Sequence, residues 1–364
     1  MKIRQITQAI EEFAPLALQE NYDNAGLQIG DPNKDISSAL LCLDVTEEVV
    51  DEAIFHHCGL IISHHPLIFK GLKSITGANY IERCLLKTCK NDVAIYSAHT
   101  NIDNVLNGVN YKIAEKIGLT DVKILSEQSN MLLKLVTFTP PSHAEIVRKA
   151  LWEAGAGQIG KYDACSFNSS GFGAFRPGEN ANPFCGTIGE IHTEEEIRIE
   201  VILPAFRRNA VQKALLASHP YEEPAYDFYR PESFWSEAGS GVVGNLPEPM
   251  NGTDFLQSIK EKFRIPCIKH SSIPDKKITR IALCGGSGAF LLPEAVKQNA
   301  DVFLTGEIKY HDFFGLDARL FVAEMGHYES EQYTKEIFFD IITKKFPNFA
   351  LRFSEINTNP VKYF

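Results

Sequence analysis

Seven residues of this chain combine a reactive type with a telling position: His64, His65, His99, Asp103, Glu307, His327 and Glu331. Each follows an apolar run that reads as a buried strand, and parallel-sheet proteins bind ligands just beyond the carboxyl ends of such strands. Adjacent side chains on a strand point to opposite faces, yet at a strand end both His64 and His65 can turn toward one point. A histidine and an acid four residues apart share a helix face, which makes His99 with Asp103 and His327 with Glu331 candidate donor pairs. Imidazole nitrogens and carboxylate oxygens without thiolate suit Zn, Fe, Mn or a related divalent ion. Four or more such donors can hold two ions about 3.5 to 4 Å apart, with a carboxylate bridging them. Taken alone, a His-His or a His-x-x-x-Glu is most often a solvated pair or a cap. Their recurrence at matching strand ends is what carries the expectation of a metal centre.

The elements that must position these residues come in two similar sets. In the first, residues 38–44 read as a strand, 46–55 as a helix opened by a Thr46 cap, and 59–63 as a strand ending in His64-His65-Pro66. In the second, residues 280–284 are a strand, 289–299 a helix, and 301–305 a strand ending in Gly306-Glu307. The separation from Cys42 to His65 equals that from Cys284 to Glu307. Each set continues into another strand, the first ending at His99 and the second just before His327. Strand, helix and strand in this order imply parallel crossovers, so residues 1–126 and 237–364 are read as two related α/β lobes forming the core. The segment between them, 127–236, holds two β-α-β halves: strands at 130–138, 196–203 and 224–229, with helices at 142–153 and 205–218. That pattern predicts an inserted ferredoxin-like α+β module.

With 364 residues, two to three domains of about 150 residues are expected. Hydrophobic residues at 44% and charged residues at 23% exclude a disordered chain. Apolar runs such as Val201-Ile202-Leu203 fall far short of the roughly 18 residues that span a bilayer, so no membrane segment is expected. The first residues are spaced like a helix and carry Glu11 and Glu12 where a signal peptide needs an apolar stretch, which points to a cytoplasmic protein. Eight cysteines without a C-x-x-C pair argue against a disulfide framework or a cysteine zinc site. A net charge of −10 and no basic run make nucleic acid a poor partner.

Five motifs together resemble the NIF-three-like family of dinuclear-metal-centre hexameric proteins, whose members often carry the label GTP cyclohydrolase 1 type 2 homologue. They are Tyr22-Asp23-Asn24-Ala25-Gly26-Leu27-Gln28-Ile29-Gly30, Ile62-Ser63-His64-His65-Pro66-Leu67, Ala98-His99-Thr100-Asn101-Ile102-Asp103, Leu283-Cys284-Gly285-Gly286-Ser287-Gly288 and Gly326-His327-Tyr328-Glu329-Ser330-Glu331. The resemblance runs from end to end. In the middle, Gly160-Lys161-Tyr162-Asp163 and His219-Pro220-Tyr221-Glu222-Glu223-Pro224-Ala225-Tyr226 look like that family's PII/CutA-like insert. The resemblance implies metal ligands at His64, His65, Asp103, His327 and Glu331, with Glu331 as the bridge. It makes His99 a nearby residue that contacts substrate or shuttles protons. Glu307, matched in register to His65, is not among those ligands, and it and His311 could still line the site. Two divalent ions per subunit and a toroidal homohexamer are also implied.

Other features carry less. Gly285-Gly286-Ser287-Gly288 after a strand is either a phosphate-binding turn or a plain tight turn. His219, Glu222 and Glu223 lie between prolines, where a structured loop is the economical reading, and Arg207-Arg208 reads as a solvated helix face. Asp23, Asn24 and Gly26 make a turn that the family motif puts near the site. The function expected from all this is metal-dependent hydrolysis of a nucleotide or related small molecule. The alternative is a metal-handling or regulatory scaffold that binds an effector through its insert.

Overall fold

Leu40, Leu41, Ile61, Ile62, Ile95 and Tyr96 follow one another without polar alternation, as strands buried on both faces do. They lie in three parallel strands, β1 (Ser38–Cys42), β2 (Leu60–Ser63) and β3 (Ala94–Ser97), with Cys42, Ser63 and Ser97 in one row. Gly26–Ile29 pairs antiparallel with β3 and Ala350–Phe353 parallel with β1, which completes a five-stranded sheet. A second, six-stranded sheet contains parallel β4 (Ile278–Ser287), β5 (Val302–Glu307) and β6 (Phe321–Glu324), with Cys284, Thr305 and Glu324 in one row. Cys42 thus stands to Ser63 as Cys284 stands to Thr305, so the two crossovers share a register. The computed structural model describes residues 1–314 and 320–364.

Two compact units result: Met1–Ser126 with Ala238–Phe364, and Glu127–Glu237. In the first unit neither sheet is built from one flanking segment alone. Ala350–Phe353 joins the sheet of the N-terminal segment, and Thr120–Gln128 joins the sheet of the C-terminal one. Alternate residues of each strand feed different cores. Leu41, Ile62 and Tyr96 share one apolar cluster with Leu283, Leu304 and Phe338, while Leu40, Ile61 and Ile95 pack outward on Val49, Val50 and Ala53. The latter three belong to α1 (Glu47–Phe55), which the Thr46 hydroxyl caps by accepting from the Val49 amide. Three further helices matter to the site: α2 (Thr100–Asp103), α3 (Val109–Ile117) and α4 (His327–Glu331). The second stretch expected as one helix, 289–299, is instead a 3₁₀ turn at Ala289–Leu291 followed by a short helix at Leu292–Lys297. Pro293 in its first turn is compatible with that start.

The second unit has the connectivity strand, helix, strand, strand, helix, strand. Its antiparallel sheet runs Phe167–Phe175, His192–Pro204, Leu132–Thr139, Tyr226–Tyr229. Ile199, Val201 and Leu203 pack on Val147, Leu151, Val211 and Leu215 of the two helices. His219 serves structure: its Nε2 donates to the Phe138 carbonyl at 2.8 Å and its Nδ1 accepts from the Tyr221 amide. The Arg207 and Arg208 guanidinium groups lie over Phe206 and Phe228. No helix is long and apolar enough to cross a membrane among the described residues, and the eight cysteines are all free.

Thr120–Gln128 and Trp235–Met250 are hydrogen-bonded neighbours, so the chain leaves and re-enters the first unit side by side. Replacing residues 127–237 by a short Gly-Ser linker should therefore leave a soluble product with one cooperative melting transition and an α/β circular dichroism spectrum. An insoluble or non-cooperative product would contradict that independence.

Candidate metal centre

All seven strand-end residues lie in the first unit, and every one of them sits within a single cluster. His64 and His65 follow β2, with both backbone amides donating to the Leu43 carbonyl. This shared anchor bends the chain out of its ladder, and the two rings lie side by side with centroids 4.8 Å apart. His99 and Asp103 bracket α2, and His327 and Glu331 are the two ends of α4. The rings of His99 and His327 come within 5.4 and 5.3 Å of the His65 ring.

Each imidazole is held from behind through Nδ1. His64 donates to the Ala98 carbonyl at 3.0 Å, His65 to Asp44 at 2.7 Å, His99 to Asp23 at 2.8 Å and His327 to Glu307 at 3.2 Å. Outer acceptors of this kind fix tautomer and ring orientation in metal sites. They leave the Nε2 lone pairs of three rings aimed at one carboxylate oxygen. Glu331 Oε2 lies 3.6 Å from His64, 3.0 Å from His65 and 3.3 Å from His327. Asp103 Oδ1 stands 3.7 Å from His64 Nε2, and both of these buried atoms lack a hydrogen-bond partner. Lone pairs that face a carboxylate at this range are stable only with positive charge among them, supplied by protons or by a cation.

The titration behaviour of the bare protein says the same. Burial, then the charge of Glu331, raises the Asp103 carboxyl to about 8. Burial opposes a charge on His65, but its hydrogen bonds to Asp44 and Glu331 outweigh that and lift it to about 10. His327 rises to about 9 against burial through Glu331. Glu331 is held well below the usual carboxylate range, because the surrounding imidazoles overcome its burial. Three donor groups could hold a cation here, His64 with Asp103 and Glu331, His65 with His327 and Glu331, and His64 with His65 and His99. Glu331 is common to the first two. His99 groups with His64 and His65 but faces neither carboxylate at ion-pair distance.

The glycine-rich stretch at the end of β4 is no vacant phosphate cradle. The Gly285 amide donates to Asn110 Oδ1 on α3, Gly286 to Ser330 Oγ and Gly288 to Thr305 Oγ1. Its role is spatial. Gly286 has φ of +57°, and a Cβ there would collide with Glu331 Oε1. The exposed His311 ring lies 5.3 Å from that of Tyr310 and 6.3 Å from that of Phe314 and belongs to none of these donor groups.

Sequence reasoning missed Asp44, which stands two residues past β1 and also accepts from the Thr358 hydroxyl. The strand-end rule would have found it, had it been extended to the first strand of the set. Asp23 was placed near the site by its motif alone. Its carboxylate, held at about 2 against burial by His99 and Thr100, receives the His99 ring and the Thr100 amide and hydroxyl.

A model of the Duf34/NIF3 (NGG1p interacting factor 3) family matches residues 1–360. A Bacillus subtilis protein named GTP cyclohydrolase 1 type 2 homolog is 38% identical over 368 residues, which span 99% of this chain and 98% of that protein. One of the same name from Halalkalibacterium halodurans is 41% identical over 307 residues, 84% of this chain and 82% of the relative. The crystal structure of a Bacillus cereus protein related to NIF3 superposes with a TM-score of 0.86 at 37% identity, covering 100% of this chain and 99% of the other.

Two substitutions test the supports of the centre. Asp44→Asn removes the charge behind His65 and should weaken divalent-metal binding about 10- to 100-fold, read by calorimetric titration, without unfolding the protein. Gly286→Ala puts a side chain at positive φ and into Glu331, so it should cost about 1 to 3 kcal/mol of stability and reduce metal content. Unchanged melting and metal content would show that the glycine-rich stretch does not seat Glu331.

Proposed function

The chain belongs to the Duf34/NIF3 family, and from that premise we propose that it is a dinuclear metal-dependent hydrolase acting on a nucleotide or related small molecule. The observation that carries the reading is the convergence of three imidazole Nε2 atoms and the Asp103 carboxylate on Glu331, each ring oriented from outside. In this proposal His64, Asp103 and Glu331 hold one divalent ion, and His65, His327 and Glu331 hold the other, with Glu331 shared. Zn, Fe and Mn all suit this nitrogen and oxygen donor set. Two such ions, when bound, would supply a more acidic water and a polarised electrophile.

The chain's own residues do the rest. Asp44, Glu307 and the Ala98 carbonyl keep three rings in the tautomer that presents Nε2 inward. His99, whose ring donates to Asp23, is the group we assign to carry a proton between substrate and solvent. Beside it stand Phe69, whose ring centroid is 6.1 Å from that of His99, and the exposed Tyr22, 6.3 Å from Phe69. These exposed rings offer a flat base a surface to stack on, and relatives bear names that mention GTP. The insert is read as a ferredoxin-like module of the PII/CutA kind on its connectivity, and the assembly as a homohexamer.

The test is elemental analysis of untagged protein, followed by a hydrolysis screen that starts with GTP. About two ions per chain are expected, falling to one or none in Glu331→Gln. His99→Ala should keep both ions and lose about 10²- to 10⁴-fold in turnover. Near zero ions, with no thermal shift on adding Zn, Fe or Mn, would sink the hydrolase. Two ions without turnover on any nucleotide would favour a metal-handling scaffold.

A further inference from the structure

The insert carries a second set of metal donors that shares no residue with the first. His192, Glu194 and Glu196 alternate along the strand His192–Pro204, so all three project from the face opposite to Ile199, Val201 and Leu203. The helices cover the latter face, while the former borders a cleft of about 900 Å³ lined in part by Cys185, Glu196, Arg198 and Tyr221. The loop before this strand brings Cys185 back over its first residue. Gly186, at φ of +86°, permits that approach, since a Cβ there would lie 2.9 Å from the Cβ of His192.

The Cys185 thiol, a ring nitrogen of His192 and a Glu194 carboxylate oxygen lie within 4.8 Å of one another, all half-buried. His192 Nε2 and Glu194 Oε2 are 2.7 Å apart. Donors around a tetrahedral ion with bonds of 2.0 to 2.3 Å are spaced about 3.5 Å apart, so small side-chain rotations close this set on a cation. The Phe175 ring lies 5.5 Å from the His192 ring, and Tyr221, beside the Cys185 thiol, lies 6.1 Å from both Phe175 and Phe184. Charge points the same way. Arg198 is engaged by Glu200, so among the described residues no lysine or arginine pairs with Glu194 or Glu196.

We propose that Cys185, His192 and Glu194 form a separate mononuclear site for a borderline divalent cation such as Zn²⁺, with its fourth position open toward the cleft. One thiolate, one imidazole and one carboxylate neutralise the ion's charge, and the thiol proton leaves to solvent on coordination. Spacing hid this site in the sequence, because Cys185-x₆-His192-x-Glu194 matches no paired-cysteine zinc motif.

Cobalt(II) reads the two sites apart, since only a thiolate ligand gives a strong near-ultraviolet sulfur-to-cobalt charge-transfer band. The chelator-stripped full-length protein titrated with Co²⁺ should develop that band, and one equivalent of Zn²⁺ should bleach it. The band should persist in Cys284→Ser, which removes a thiol that feels the charges of Asp103 and Glu331, and vanish in Cys185→Ser. His192→Gln keeps the thiol and should shift the titration to higher Co²⁺ concentration, which guards against misfolding of the cysteine variant. Absence of the band in the stripped protein, its survival in Cys185→Ser, or an unaltered titration in His192→Gln would each overturn the proposal.

Discussion

The Glu331 carboxylate is 4% exposed and meets the lone pairs of His64, His65 and His327 from one side, with the Asp103 carboxyl beside it. Taking a charge out of water costs several kcal/mol unless something of opposite sign accompanies it, and two neighbouring carboxylates double the demand. Protons on His65 and His327 meet it in part in the bare protein, at the expense of the rings' ability to donate lone pairs. Bound divalent cations would meet it fully and free those lone pairs for coordination. The arrangement is thus poised for metal in the sense that its polar groups conflict without positive charge and agree with it.

Much of the first unit serves to hold this conflict in place. Parallel strands end together within each sheet, so His64 and His65 follow the row through Ser63 and Glu307 follows the row through Thr305, while short helices bear Asp103 and Glu331. Outer acceptors then lock the rings, because an imidazole free to rotate about χ2 would turn its lone pair away from a crowded carboxylate. The glycine-rich stretch and Ser330 close the other side. Ser330 Oγ donates to the His327 carbonyl and accepts from the Gly286 amide, which ties α4 to the second sheet.

The insert obeys a different logic. Its sheet is covered by helices on one face only, so the side chains of the other face are free to present donors and charge. That distinction explains why its polar cluster is half-buried, whereas Glu331 and His64 of the first centre are enclosed. Ligand exchange should be correspondingly easier in the insert.

The apolar runs that end at Ser63, Ser97 and Thr305 were legible as strands because period and composition are local properties, and the same runs announced which polar residues stand at strand ends. The equal spacing of the two crossovers was likewise readable, as was the Thr46 cap. The sequence alone therefore determined the residue types of the centre and the strand ends that bear them. Tertiary structure decided their partners. Whether His99 faces Asp23 or a carboxylate of the cluster, and whether Asp44 backs His65, depends on where distant segments meet, and no spacing encodes that. The glycine-rich stretch needed the fold as well, since only the approach of Glu331 shows that Gly286 makes room for a side chain and that its amide is already taken. In the same way Cys185 and His192 became neighbours only when a loop folded back over a strand, a contact set by chain reversal and packing rather than by any pattern of residues.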